Sequence, residues 1–227
     1  MRSARPERWR AAALSAATLV AAGCASLPAL EMALPSELAG VEPVKVRGIG
    51  GGRTGEWRIG DLRGRFDRGA DHVDWFGLVQ TDSVGAGYSV LGGEAVPSGV
   101  RCRGRRATVT WRMVEVPVRP YGVECRWTHG AELRLVATTH PTRDERVGTY
   151  RAGDVTLEVR SVHAAKGSPL ALREPVGYLF LDGGRAVGAV ELNGTPRLWR
   201  PDAGSALQRP VTEAALALAL LWDPAGR

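Results

Sequence analysis

The sequence predicts a mainly β fold, a many-stranded antiparallel barrel or barrel-like sheet around a buried apolar C-terminal helix. Three observations carry that expectation. Alternation of apolar and polar residues with a period of two dominates from residue 43 onward. Asp182-Gly183-Gly184 and Asn193-Gly194 are hairpin signals in the C-terminal half. The stretch Pro210–Trp222 then breaks the alternation with helix formers, and every residue from Ala214 to Trp222 is apolar. A helix apolar on all faces must be buried on every side or sit in lipid. This one is too short to span a bilayer. A sheet wrapped around it is the simplest solution, and a β-sandwich with a covering helix is the alternative.

In chain order, residues 1–23 come first. Arg2, Arg5, Arg8 and Arg10 form a basic start, and Ala11–Ala22 form a short apolar run. That is the pattern of a secretory signal rather than a membrane span. Residues 24–42 contain Pro28 and Pro35 with little periodicity, and read as a tether with at most a short helical turn. One β-rich domain follows over 43–227. Val100 and Cys102 share a face, as do Val123, Cys125 and Trp127. Ala107, Val109, Trp111 and Met113 alternate with Thr108, Thr110 and Arg112. After Met113 the phase switches to Val114, Val116 and Val118, which predicts a bulge or bend. Leu133 and Leu135 form another inward pair, and Val155, Leu157 and Val159 an inward trio. Residues 176–200 predict a three-stranded meander through the two glycine turns. About eleven to thirteen strands are expected in all. The helix is expected over 211–222 with Thr212 as its cap.

The string Leu19-Val20-Ala21-Ala22-Gly23-Cys24 resembles the lipobox of bacterial lipoproteins. The resemblance implies cleavage before Cys24, diacylglycerol on its thiol and an acylated (palmitate-bearing) new N-terminus. One chain holds marginally and several hold stably, so no other membrane segment is needed. Ala25 rather than aspartate, by analogy with Gram-negative sorting, directs the protein to the periplasmic face of the outer membrane. Cleavage also changes the charge argument. The net charge of +6 falls to +3 once four arginines and one glutamate leave with the signal. A nucleic-acid partner therefore loses its main support.

Three cysteines are odd for an exported chain. Lipidation of Cys24 leaves Cys102 and Cys125, which in an oxidising compartment read as a structural disulfide.

In architecture, residues 43–223 resemble the tubby-like group, which includes the tubby C-terminal domain, phospholipid scramblases and LURP-one-related proteins. The resemblance rests on the strand count, on GYLFLDGGRAVGAVELNGTPRLW and on AALALALLWD. It implies a twelve-stranded barrel around one apolar C-terminal helix. Members of that group include phosphoinositide binders. Their binding residues have no counterparts that can be aligned here.

No catalytic, metal or cofactor motif stands out. Gly50–Gly55 contains G-x-G-x-x-G, but Glu56-Trp57-Arg58-Ile59 reads as a strand where a dinucleotide site needs a helix. It is expected to be a hairpin loop. His72, His129, His140 and His163 are scattered, with only His72 and Asp74 sharing a strand face. Ser89 lacks the second glycine of a nucleophile elbow. Asp71 with Asp74, and Asp144 with Glu145, read as solvated turns, and Asn193-Gly194-Thr195 as turn chemistry.

The most suggestive patch is Arg101, Arg103, Arg105 and Arg106, with Arg112 and Arg126 near. Guanidinium groups bind phosphate and carboxylate in a bidentate manner. Cross-strand pairing with Glu124 or Glu132 is the competing expectation.

The sequence therefore predicts a non-catalytic, lipid-anchored protein of the cell envelope without a cofactor. Its expected partners are the membrane, through Cys24, and an envelope protein, lipopolysaccharide or anionic lipid. The alternatives are an envelope hydrolase with a site assembled from distant residues, and a carrier of a small hydrophobic ligand. The position of Leu216, Leu218, Leu220 and Leu221 discriminates the carrier, since a helix filling the barrel leaves no room.

Overall fold

The computed structural model describes residues 30–75, 79–91, 98–111, 114–138 and 142–221. Cys24, His140, Arg112 and Trp222 lie outside them. Twelve strands run in order: β1 (Val44–Lys45), β2 (Thr54–Ile59), β3 (Leu62–Trp75), β4 (Val79–Val90), β5 (Gly99–Trp111) and β6 (Val114–Trp127), followed by β7 (Glu132–Ala137), β8 (Arg146–Ala152), β9 (Val155–Val162), β10 (Gly177–Asp182), β11 (Arg185–Glu191) and β12 (Arg197–Trp199). Helix α1 spans Gln208–Leu220.

All strands belong to one antiparallel up-and-down sheet, ordered from β2 through β12 to β1. A reciprocal backbone pair between Arg47 and Arg58, both bonds 2.9 Å, joins the β1 end to β2. The sheet is thereby a nearly closed barrel, and closure removes most of the exposed edge. Connections after even-numbered strands lie at one mouth, here the upper, where α1 also begins. Connections after odd-numbered strands lie at the lower mouth.

α1 occupies the lumen. Every residue from Pro210 to Leu220 is buried, and the helix touches β4, β8 and β11, which lie on different sides of the ring. Leu216, Leu218 and Leu220 are 2%, 4% and 0% exposed. They pack with Trp57, Tyr88, Trp127, Tyr150 and Phe180 in one core. No helix among the described residues is long and apolar enough to cross a membrane.

The helix starts earlier than the apolar run suggests. Leu207 is its N-cap, and Thr212 lies inside, its hydroxyl donating to the Gln208 carbonyl at 2.7 Å. Thr212 is therefore not the cap. The expected tether is also partly structured. Met32 and Leu38 are buried against Val162, Ala189 and Trp199 on the outer wall, and Ser36–Leu38 is a 3-10 turn.

The turn chemistry appears where it is needed. Gly183 and Gly184 have φ of +55° and +83° between the paired residues Asp182 and Arg185, the primed geometry that favours glycine. The phase switch after Met113 has a different cause from the one expected. β5 ends at Trp111 and β6 begins at Val114, so the chain reverses there. The register irregularities lie further back, between Arg105 and Thr108.

Cys102 and Cys125 face each other across β5 and β6 and form a buried disulfide. Closing this loop restricts the unfolded chain by about 3 kcal/mol. Cys102→Ser combined with Cys125→Ser should lower the unfolding free energy by about that amount in urea titration. Reductant should shift the wild type to the same midpoint.

Candidate functional site

Strand alternation sends Arg101, Arg103 and Arg105 outward, on either side of the inward Cys102 and Gly104. They do not form one cluster. Arg103 and Arg105 line a shallow cleft of about 400 Å³ with Gly122, Glu124, Arg134 and Val136. Gly122 occupies an outward position on β6 and has no side chain, so a trough opens between β5 and β7. Arg101 lies over a neighbouring cleft with Arg65, Asp67 and Arg126, its Nη1 3.7 Å from Asp67. Arg106 is half-buried and opposite Asp82 in register. It adjoins the irregular register, out of phase with the other three.

One cross-strand pair with Glu124 does form, from Arg134 on β7, while Arg126 reaches the same carboxylate from its own strand. Arg126 and Arg134 both reach Glu124 Oε1, at 3.2 and 3.3 Å, and Arg134 also reaches Glu132 at 3.3 Å. These side chains are well exposed, so the pairs contribute little to stability. Their consequence is that the Glu124 carboxylate is already neutralised. Arg103 and Arg105 have no ion pair among the described residues. Two unpaired guanidinium groups with Arg134 beside a side-chain-free trough can accept a planar oxyanion. Arg134 was not singled out by the sequence pattern, because only the β6–β7 register brings it to this wall.

A second polar centre is internal. Glu213, on the lumenal helix, has a side chain 6% exposed. Tyr150 donates to its Oε2 at 2.5 Å, and Arg209 Nε donates to its Oε1 at 2.8 Å. His129 Nε2 lies 3.3 Å from Oε2. Tyr88 donates to the Glu213 backbone carbonyl at 2.9 Å and accepts from Trp127 Nε1 at 3.2 Å. Burial, reinforced by the Glu213 charge, pushes both tyrosine hydroxyls well above their ordinary pKa. Both stay protonated and serve as donors. This network ties α1 to β4, β6 and β8. The sequence offered one hint of it, a lone acid at the start of an otherwise apolar run.

Above the network a cleft of about 630 Å³ opens at the upper mouth. Trp57, Ile59, Leu62, Val90 and Leu216 form its apolar side, and Asp61, Arg200 and Arg209 part of its polar rim. Trp57 Nε1 is buried without a hydrogen-bond partner. The lumen itself is filled by α1.

The remaining candidates separate. Arg68 donates to the carbonyls of Gly50 and Gly52. That part of the glycine loop therefore turns oxygen atoms toward a cation, opposite to a phosphate cradle, and the loop is the connection from β1 to β2. His163 Nε2 is 2.9 Å from Ser161 Oγ, and its Nδ1 is 3.0 Å from the Leu172 carbonyl. The pair resembles a serine–histidine dyad only in distance. A backbone carbonyl rather than a carboxylate stands behind the ring, and Ser161 Oγ is already bound by the Arg146 backbone N–H at 2.8 Å. Burial holds the His163 pKa below its ordinary value. Ser89 pairs with Gly99 and Arg65 in the sheet. Glu145 binds Arg143 at 2.7 Å, and the Asn193 side chain donates to the Leu30 carbonyl. Backbone pairing sets His72 opposite Asp82. Among the described residues no three His, Cys, Asp or Glu side chains come together as metal ligands.

No family model, curated protein or solved structure matches this chain.

Proposed function

We propose that this is a non-catalytic lipoprotein, held by acyl chains on Cys24 at the periplasmic face of the outer membrane, whose barrel wall binds an anionic component of the envelope. The observation that carries the binding reading is the trough between Arg103 and Arg105, whose guanidinium groups have no acidic partner among the described residues while the nearby Glu124 is doubly neutralised. The lipobox-like Cys24 supports the location, and the Cys102–Cys125 disulfide suits an oxidising compartment. A packed lumen and the separation of the candidate catalytic residues favour binding over hydrolysis. The ligand chemistry is a phosphate or carboxylate presented on a larger molecule.

Arg103→Ser combined with Arg105→Ser tests this. Charge-assisted hydrogen bonds are worth about 1.5–3 kcal/mol each, so losing two should weaken binding at least about a hundredfold. Three arms distinguish the source: phosphatidylglycerol vesicles, lipopolysaccharide micelles and peptidoglycan sacculi, each with phosphate as competitor. Unchanged binding in all three arms by a variant with wild-type melting would remove the trough from consideration.

A further inference from the structure

The cleft at the upper mouth lies between one face of α1 and the β2–β3 hairpin. Arg209, Glu213 and Leu216 line it, at the four- and three-residue spacing that keeps side chains on one helix face. Trp57 and Ile59 face them from β2, Leu62 from the start of β3 and Val90 from the end of β4. α1 makes its main contacts with β11, β8 and β4, and the cleft occupies the β2–β3 side. Its volume of about 630 Å³ falls within the roughly 300–1,000 Å³ usual for small-molecule sites.

The lining changes character with depth. α1 enters at this mouth, so Leu216 lies about 10 Å below Arg209. β2 climbs toward the same mouth, so Trp57 lies about 7 Å below Ile59 along the strand. Trp57, Ile59 and Leu216 are all buried, and they make the deep end apolar. The charges stand nearer the rim. Arg209 Nε donates to Glu213 Oε1 at 2.8 Å and Tyr150 donates to Oε2, so the acid in the cleft wall is already met. Arg200 leaves the β12–α1 connection half-buried, and its Nη2 comes to 4.0 Å from where a Cβ on Gly60 would lie. Its guanidinium therefore rests against the β2–β3 turn. Neither Arg200 nor the exposed Asp61 at the same rim has an ion pair among the described residues.

We infer that this cleft binds a small single-chain amphiphile with one carboxylate, its alkyl part lying between α1 and β2 and its head on Arg200. The site is separate from the outer-wall trough and does not rest on the anchored-lipoprotein reading. A planar guanidinium takes a carboxylate through two parallel hydrogen bonds. Each methylene that leaves water for the apolar deep end adds to affinity. The head carries a single charge because the rim offers one uncommitted cation, with Asp61 beside it. A phosphate ester, with close to two negative charges, meets more repulsion from that carboxylate. The acyl chains expected on Cys24 are poorer occupants. The described chain begins at the opposite mouth, where Leu30 accepts from Asn193 on the β11–β12 connection.

The test uses the full chain in phosphatidylcholine vesicles, with decanoic acid bearing a diazirine at its chain end as photoprobe. After irradiation, peptide mass analysis should place the label on Trp57–Leu62 or Gln208–Leu216, and excess decanoate should remove it. Decanol should compete at least about tenfold more weakly, the loss of one charge-assisted pair. Arg200→Ser should weaken decanoate by the same factor and leave decanol unchanged. Ala203→Trp fills the rim from an exposed position. It should abolish labelling while melting as the wild type does. Label outside the two segments, or equal labelling of the wild type and a folded Ala203→Trp, would overturn the site. Decanol or decyl phosphate competing as well as decanoate would overturn the carboxylate assignment. Labelling confined to molecules whose Cys24 is unmodified would show that the chain's own acyl group fills the cleft, and would overturn the free acid as occupant.

Discussion

Glu213→Ala is expected to lower the unfolding free energy by about 3 kcal/mol, two charge-assisted hydrogen bonds at about 1.5 kcal/mol each. The carboxylate is 6% exposed and is reached by Tyr150 on β8, His129 in the turn after β6 and Arg209 on α1 itself. Its removal leaves the Tyr150 hydroxyl buried without an acceptor, which costs a further part of its desolvation. Arg209 is half exposed and can turn to water, so it contributes less. Tyr150→Phe removes one donor from the buried carboxylate and should cost about 1.5–3 kcal/mol, the range for a hydrogen bond to a charged group. Combining it with Glu213→Ala should cost less than the sum, with a coupling of about 1–3 kcal/mol. Urea denaturation of the four proteins measures this. Additive losses would mean that the tyrosine and the carboxylate do not act together in holding the helix.

The second large effect is steric. Gly188→Val is expected to destabilise by about 3 kcal/mol or more, at or above the upper end for overpacking a core. Gly188 lies on β11, where α1 crosses the barrel wall. A Cβ there would fall within contact radius of Val211 Cγ1 and 3.0 Å from the Trp199 carbonyl oxygen. Neither neighbour is a flexible end, because Val211 is buried in the first turns of the helix and Trp199 O is backbone. The helix would have to shift away from β11, and the buried contacts of Leu216 and Leu220 would shift with it. Urea unfolding and near-ultraviolet circular dichroism of the packed aromatics read the loss. A compensating Val211→Ala should restore part of it. If Gly188→Val melts like the wild type, α1 does not press against β11 as described.

Much of the fold is legible in the chain because its causes are local. Alternation at Leu133 and Leu135, or Leu157 and Val159, follows from the two-residue strand period, and all four are buried. Asp182-Gly183-Gly184 makes its turn because glycine tolerates positive φ. The fully apolar α1 had to be enclosed, and it is. The cysteine pair was also readable, since both residues lie on inward faces of strands.

What eluded sequence reading depends on register, which no single strand encodes. Alternation alone puts Arg101, Arg103 and Arg105 outward and Arg106 out of phase with them, but only the β6–β7 pairing brings Arg134 to the same wall. The Glu213 network needs β4, β6 and β8 to converge on one helix turn, and no local pattern signals that. The reversal between β5 and β6 was hidden too, because a phase switch in the alternation looks the same in a bulged strand and in a hairpin. The sequence by itself determined the barrel-and-helix class, the turns, the buried disulfide and the lipobox-like Cys24. The tertiary structure alone decided which outward arginines have no ion pair among the described residues and which acid is buried. Those properties arise where strands meet, and strand meeting is set by the whole barrel closing around its helix.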